Sequence, residues 1–217
     1  MLIWAAIIHE FYCRQLLPMG ALIAIGVSSY ARPGELLAMR RGDIVPPVAN
    51  ASSCWCLLLR PEELEIPTKT GDFDDSVQMD TSYMADFMGE MLQVLSEGDA
   101  GELVFSFSYP AFWAEFRKVL DHLGLSKTGL VPYSWRHSGP SIDRSLGLRS
   151  ALEVAKRGRW RQAKNVARYE KAGRLGASLR GISSRLLDHA RICEVRLADI
   201  LLGDASDLAR FVKDSTT

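Results

Sequence analysis

The order of apolar and polar residues along the chain predicts a mostly helical protein. Apolar residues recur at helical spacing in residues 2–17, and a second apolar segment covers 19–28. Pro18 lies between the two segments and is expected to end the first helix. Further helices are predicted at 33–40, 82–96, 110–123, 134–149, 150–157 and 162–172, and one or two amphipathic helices at 178–213.

The segment between the third and fourth predicted helices has the composition of β-strands. Residues 54–60 and 63–67 are candidate strands, Thr68–Asp72 supplies a turn, and 75–79 is a candidate returning strand. The expected fold class is therefore mainly α with a small antiparallel β-sheet (α+β).

Formal charge sums to zero over the 217 residues but is unevenly distributed. Residues 136–185 hold thirteen lysines and arginines against three acids, a local net charge of +10. Residues 62–102 hold twelve acids and one base, Lys69. This polarity predicts one basic and one acidic face, and a basic face is a natural phosphate-binding surface.

Composition narrows the class of protein further. A chain of this length with 47% apolar residues is expected to fold as one domain with a real core. Its four cysteines have neither disulfide-scaffold density nor zinc spacing, and Cys54-Trp55-Cys56 has no second pair beside it. Free thiols are therefore expected, with no metal site.

The apolar N-terminus is interrupted by charged residues, and no run approaches the ~18 apolar residues of a membrane span. No positive charge precedes Arg14, as a signal peptide would require. We expect no membrane association and an intracellular location, in the nucleus if the source is eukaryotic and in the cytoplasm if it is bacterial.

Several short motifs carry candidate chemistry. Arg32 lies where a turn meets a helix in Ser29–Leu37, and Lys69 lies on the predicted hairpin turn. Arg136-His137-Ser138 is followed by Gly158-Arg159-Trp160, and Tyr169 comes nine residues after Trp160. Over residues 2–172 these motifs, in this order, resemble the catalytic domain of the tyrosine recombinases, the phage-integrase family.

The resemblance implies the catalytic-domain fold of the DNA breaking–rejoining enzymes, and site-specific DNA recombination or integration through a 3′-phosphotyrosine intermediate. It implies double-stranded DNA as the partner, a tetramer on DNA, no metal or nucleotide cofactor, and a mobile-element origin. Residues 1–177 would form the catalytic domain, while the family's N-terminal core-binding domain is absent. The tail, 178–217, is either exchanged between protomers or folded back on its own core.

The resemblance also assigns roles to individual residues. Paired guanidinium groups suit the charge that develops on a phosphate, and a tyrosine is the nucleophile. A lysine protonates the leaving 5′ oxygen, and an indole replaces the family's second histidine. The catalytic set is Arg32, Lys69, Tyr133, Arg136, Trp160 and Tyr169. The supporting residues are Glu35 and His137, and the expected DNA-binding residues are Arg144, Arg149, Arg159, Arg161 and Lys164.

Two features depart from the family pattern. Tyr133 occupies the place of the usual histidine, and a phenol is a poor general base near neutral pH. Pro140 follows Gly139 early in a predicted helix, where proline removes a backbone hydrogen bond and kinks the helix.

Three alternatives stay open: a catalytically impaired DNA-binding remnant, a type IB topoisomerase-like enzyme, and a helical interaction domain with no DNA affinity.

Overall fold

The computed structural model describes residues 1–50, 52–59, 75–160, 166 and 180–205. These ranges are mainly helical, as the sequence predicts. The α-helices are α1 (Leu2–Cys13), α2 (Leu17–Ser29), α3 (Pro33–Leu37), α4 (Ala85–Ser96), α5 (Tyr109–His122), α6 (Trp135–Ser145), α7 (Ala151–Arg157), α8 (Ser184–Val195) and α9 (Leu197–Leu202).

A three-stranded antiparallel sheet lies between α3 and α4 in sequence. Its strands are β1 (Ile44–Val45), β2 (Cys56–Leu59) and β3 (Asp75–Gln78), with β2 in the centre. Leu57 pairs with both Ile44 and Val77, and all three side chains are buried. The sheet confirms the α+β class. The expected strand at 63–67 and the turn that carries Lys69 lie outside the described residues.

Helix boundaries differ from the sequence prediction around Pro18. The first helix ends at Cys13, and Gln15 then takes a left-handed conformation with φ of 60°. Pro18 does not end that helix but lies in the first turn of α2, where its missing N–H removes no helical bond. The third helix is also shorter than predicted, because α3 ends at Leu37.

Helices α2 and α6 pack closely at two glycines. A Cβ atom on Gly139 would overlap the carbonyl oxygen of Val27 and lie 2.7 Å from the ring of Tyr30. A Cβ atom on Gly26 would lie 2.6 Å from the indole of Trp135. These approaches bring the N-terminal half of α6 against the end of α2. Pro140 does not interrupt α6, which is helical on both sides of it.

Helices α8 and α9 pack against α1 and α4 of the same chain. Their buried apolar residues belong to the main core, as the fold-back alternative requires. These residues include Leu186, Ala190, Leu197, Ile200 and Leu201. Exchange of the tail between protomers stays a prediction, and residues 206–217 lie outside the described part of the chain. Within that part, every helix is too short or too polar to cross a bilayer.

Candidate functional site: a buried arginine cluster

Arg32 is positioned by the turn between α2 and α3. The chain leaves α2 through Tyr30, which is left-handed with φ of 55°, and Arg32 becomes the residue that caps α3. The Glu35 carboxylate accepts a 2.6 Å hydrogen bond from the Arg32 backbone N–H and another from the Arg32 guanidinium. One carboxylate therefore both begins the helix and orients the arginine.

Arg136 enters the same region from α6 and is almost fully buried, with 1% of its surface exposed. Its guanidinium donates to the carbonyl oxygen of Tyr30 and, at 2.7 Å, to that of Gly158. Its Cζ atom lies 5.5 Å from the centre of the Trp160 ring. Two backbone oxygens and an aromatic face thus fix the plane of the guanidinium.

Arg159 completes the arrangement from the segment after α7. Its backbone is left-handed, with φ of 54°, and its guanidinium donates to Glu35 Oε2 at 2.7 Å. We call Arg32, Glu35, Arg136, Arg159 and Trp160 the arginine cluster. The sequence analysis assigned Arg159 to a DNA-binding surface, whereas the structure places its side chain inside this cluster with 8% exposed.

The electrostatics of the arginine cluster are unbalanced. Burial would raise the pKa of Glu35, but the charge of Arg159, the Arg32 backbone hydrogen bond and the charges of Arg32 and Arg136 lower it overall. Burial and the positive charges of Arg159 and Arg32 lower the pKa of Arg136 to about 10. Three guanidinium groups around one carboxylate leave an excess of positive charge, which suits an anion such as phosphate.

The cluster reaches solvent through Arg32, whose side chain is 28% exposed. Tyr133 lies nearby, in the 3₁₀ turn that precedes α6, and is 40% exposed. Its ring packs edge-to-face with that of His137 at 5.4 Å. Tyr133 is close enough to Arg136 to interact with it electrostatically.

Tyr30 connects the arginine cluster to a second polar network. Besides its carbonyl bond to Arg136, its ring stacks on Trp160 with centroids 6.4 Å apart. Its hydroxyl donates to the buried carboxylate of Asp143, and the Arg157 guanidinium lies 5.4 Å from its ring centre. Burial and the neighbouring Asp143 raise the pKa of the Tyr30 hydroxyl far above its ordinary value, so it remains a proton donor.

The second network connects both ends of α7 to the aspartates Asp80 and Asp143. Arg149 donates to Asp143 and Asp80, each at 2.7 Å, and Arg157 donates to Asp80 at 2.8 Å. Arg157 also donates to the carbonyl oxygen of Ser28, near the end of α2. Sequence analysis missed Arg157 and Asp80, because nothing in their local sequence marks them as partners.

The remaining predicted site residues fall into two groups. Arg144 donates to the Arg149 carbonyl oxygen at 2.8 Å. The carboxylates of Asp80 and Asp143 would compete with a phosphate for the Arg149 guanidinium. DNA contact by these two arginines stays a prediction. Lys69, Arg161, Lys164 and Tyr169 lie outside the described residues.

No protein-family model, curated protein or solved structure matches the chain.

Proposed function

We propose that the protein is a tyrosine recombinase catalytic domain that cuts and rejoins double-stranded DNA through Tyr169. The observation that supports this function most is the convergence of Arg32, Arg136 and Trp160. These residues come from three separate segments, yet Arg136 donates to the backbone beside each of the other two, at Tyr30 and Gly158. A set of residues chosen by motif alone thus meets in one place.

In the proposed mechanism, the arginine cluster holds the scissile phosphate. Arg32 is the most accessible of the three arginines and would reach a non-bridging oxygen directly, while Arg136 and Arg159 supply positive charge behind it. The Tyr169 hydroxyl gives up its proton to water, and its oxygen forms a bond to phosphorus as the bond from phosphorus to the 5′ oxygen breaks. Lys69 gives its proton to that leaving oxygen, and the reverse reaction rejoins the strand.

The test is a covalent-adduct assay on nicked duplexes whose cleavage releases a short fragment, so that religation is suppressed. Reactions are quenched with SDS, and protein-linked DNA is measured for the parent, Tyr169→Phe and Tyr109→Phe. Tyr109 is an exposed tyrosine at the start of α5. We expect an adduct with the parent and Tyr109→Phe and none with Tyr169→Phe. An adduct that persists in Tyr169→Phe overturns the assignment of the nucleophile.

A second candidate function is DNA binding without strand cleavage. Two observations favour it: Arg136 is buried with two of its N–H groups bound to carbonyl oxygens, and Tyr133 replaces the usual histidine. This candidate predicts binding that weakens steeply with salt, because phosphate contacts release counterions, with no adduct. Absence of both binding and adduct would leave the helical interaction domain.

A further inference from the structure

Two pairs of histidine and cysteine meet where α1 packs against α8. His9 and Cys13 lie four residues apart on α1, and His189 and Cys193 lie four residues apart on α8. Residues four apart share one face of a helix. The two pairs are 180 positions apart in sequence, and none of their members belongs to the arginine cluster.

The potential ligand atoms of three of these residues converge between the two helices. The imidazole nitrogens and thiol sulfur of His9, His189 and Cys193 lie within 4.8 Å of one another. The two imidazole rings have centroids 5.1 Å apart. Cys13 Sγ lies 3.5 Å from His9 Nε2, and Cys193 Sγ lies 3.4 Å from His189 Nε2. His9 and Cys193 are fully buried.

We propose that His9, His189 and Cys193 bind a zinc ion that joins α1 to α8. Tetrahedral zinc bonded at about 2.1 Å to nitrogen and about 2.3 Å to sulfur places these two atoms about 3.6 Å apart. The distance of 3.4 Å between Cys193 Sγ and His189 Nε2 is close to this edge length. Imidazole and thiolate are also ligands that zinc prefers in structural sites.

Glu10 follows His9 in α1, and its carboxylate already contacts other side chains. Glu10 Oε1 accepts a 2.7 Å hydrogen bond from Arg14, and Glu10 Oε2 lies 3.5 Å from His122 Nε2. The proposed ligands are therefore His9, His189 and Cys193, and the carboxylate is not among them. Because the three residues lie between two packed helices, and His9 and Cys193 are fully buried, the proposed zinc ion is structural.

Thiol–imidazole hydrogen bonds in a metal-free protein would have similar distances, so the test must detect the metal itself. The full chain is purified under reducing conditions, stripped with a chelator and titrated with Co²⁺. We expect one Co²⁺ per chain, with thiolate-to-metal charge-transfer absorption and the visible bands of tetrahedral cobalt, both abolished by Zn²⁺. Absence of the charge-transfer absorption in the parent overturns the proposal.

Variants locate the metal. Cys193→Ser and His189→Asn are each expected to weaken Zn²⁺ binding by about tenfold or more. The double variant Cys54→Ser/Cys56→Ser is the matched control and is expected to keep full affinity, because these cysteines lie near and in β2. Far-ultraviolet circular dichroism checks that each variant is folded. Full affinity in Cys193→Ser, or loss of affinity in the control, overturns the proposal.

Thermal unfolding gives an independent readout on the parent chain. Zinc that binds only the folded protein raises the midpoint of unfolding as its concentration rises. We expect this increase in the parent and in the Cys54→Ser/Cys56→Ser control. A midpoint that does not change with zinc in either protein contradicts a metal that joins α1 to α8.

Discussion

Arg159 and Glu35 form an ion pair with 2.7 Å between nitrogen and oxygen, although 124 residues separate them in sequence. Both side chains are buried. The same carboxylate also accepts hydrogen bonds from the backbone and guanidinium of Arg32. A single acidic residue therefore joins α3 to the segment after α7 and holds two arginines of the cluster in place.

Glu35→Gln is expected to lower the free energy of unfolding by about 3–5 kcal/mol, because it leaves buried guanidinium groups without a counter-charge. Urea denaturation measures the change. Asp188→Asn is the control, since Asp188 pairs with Arg191 on the surface with both side chains more than half exposed. That substitution should cost at most about 1 kcal/mol. Equal effects in the two variants would contradict a stabilising role for the buried pair.

Asp80 is expected to make the stability of the folded protein depend on pH in the acidic range. Burial acts to raise the pKa of Asp80, but the Arg149 hydrogen bond and the charges of Arg157 and Arg149 lower it below its ordinary value. The unfolded chain takes up a proton at Asp80 near about pH 4, and the folded protein does so at lower pH. The stabilisation is therefore complete above this range and is lost as the pH falls through it.

The measurement for Asp80 is the thermal midpoint from about pH 6 to about pH 3 for the parent and Asp80→Asn. The parent is expected to lose more stability on acidification than the variant, whose amide does not titrate. Parallel curves for the two proteins would show that Asp80 does not cause the loss.

Gly139→Ala tests the close packing of α2 on α6. The added methyl group would overlap the Val27 carbonyl oxygen, so the helices must separate at a cost of about 1–3 kcal/mol or more. Gly34→Ala is the matched control, because no atom lies within 4 Å of a Cβ at that position. Chemical denaturation of both variants provides the comparison. Equal stability of the two variants would contradict the close approach of Gly139 to the Val27 carbonyl oxygen.

Arg32→Lys tests the exposed member of the arginine cluster. A lysine keeps the charge but loses the planar fork that binds two phosphate oxygens at once. On the proposed function, the rate of adduct formation should fall by about a hundredfold or more. Arg40→Lys is the control, since Arg40 is exposed and donates to the Gly101 carbonyl oxygen. An unchanged rate in Arg32→Lys would remove this arginine from the catalytic set.

The helices of the core were predictable because apolar residues mark them directly. The helix boundary near Pro18 could not be predicted, because proline can follow a helix or begin one. Only the backbone conformation of Gln15 decides between the two. The strand β1 has two residues, which is too short for an alternating pattern to be visible.

The members of the arginine cluster that could be predicted from the sequence are those that belong to a recognisable motif. Arg32, Glu35 and Arg136 were chosen from motifs, and the structure brings them together. The roles of Tyr30 and Arg159 depend on left-handed backbone conformations, which tertiary contacts impose. The same limit hid the His9–His189 contact, because its two helices are adjacent in space but distant in sequence.

The packing of α1 against α8 also has a consequence for synthesis of the chain. His9 of α1 emerges from the ribosome long before its partner His189 on α8. At about 5–20 residues per second, the 180 residues between His9 and His189 take roughly 9–36 s to translate. Throughout that interval the face of α1 that α8 later covers lacks this partner, and transiently exposed apolar surface favours aggregation.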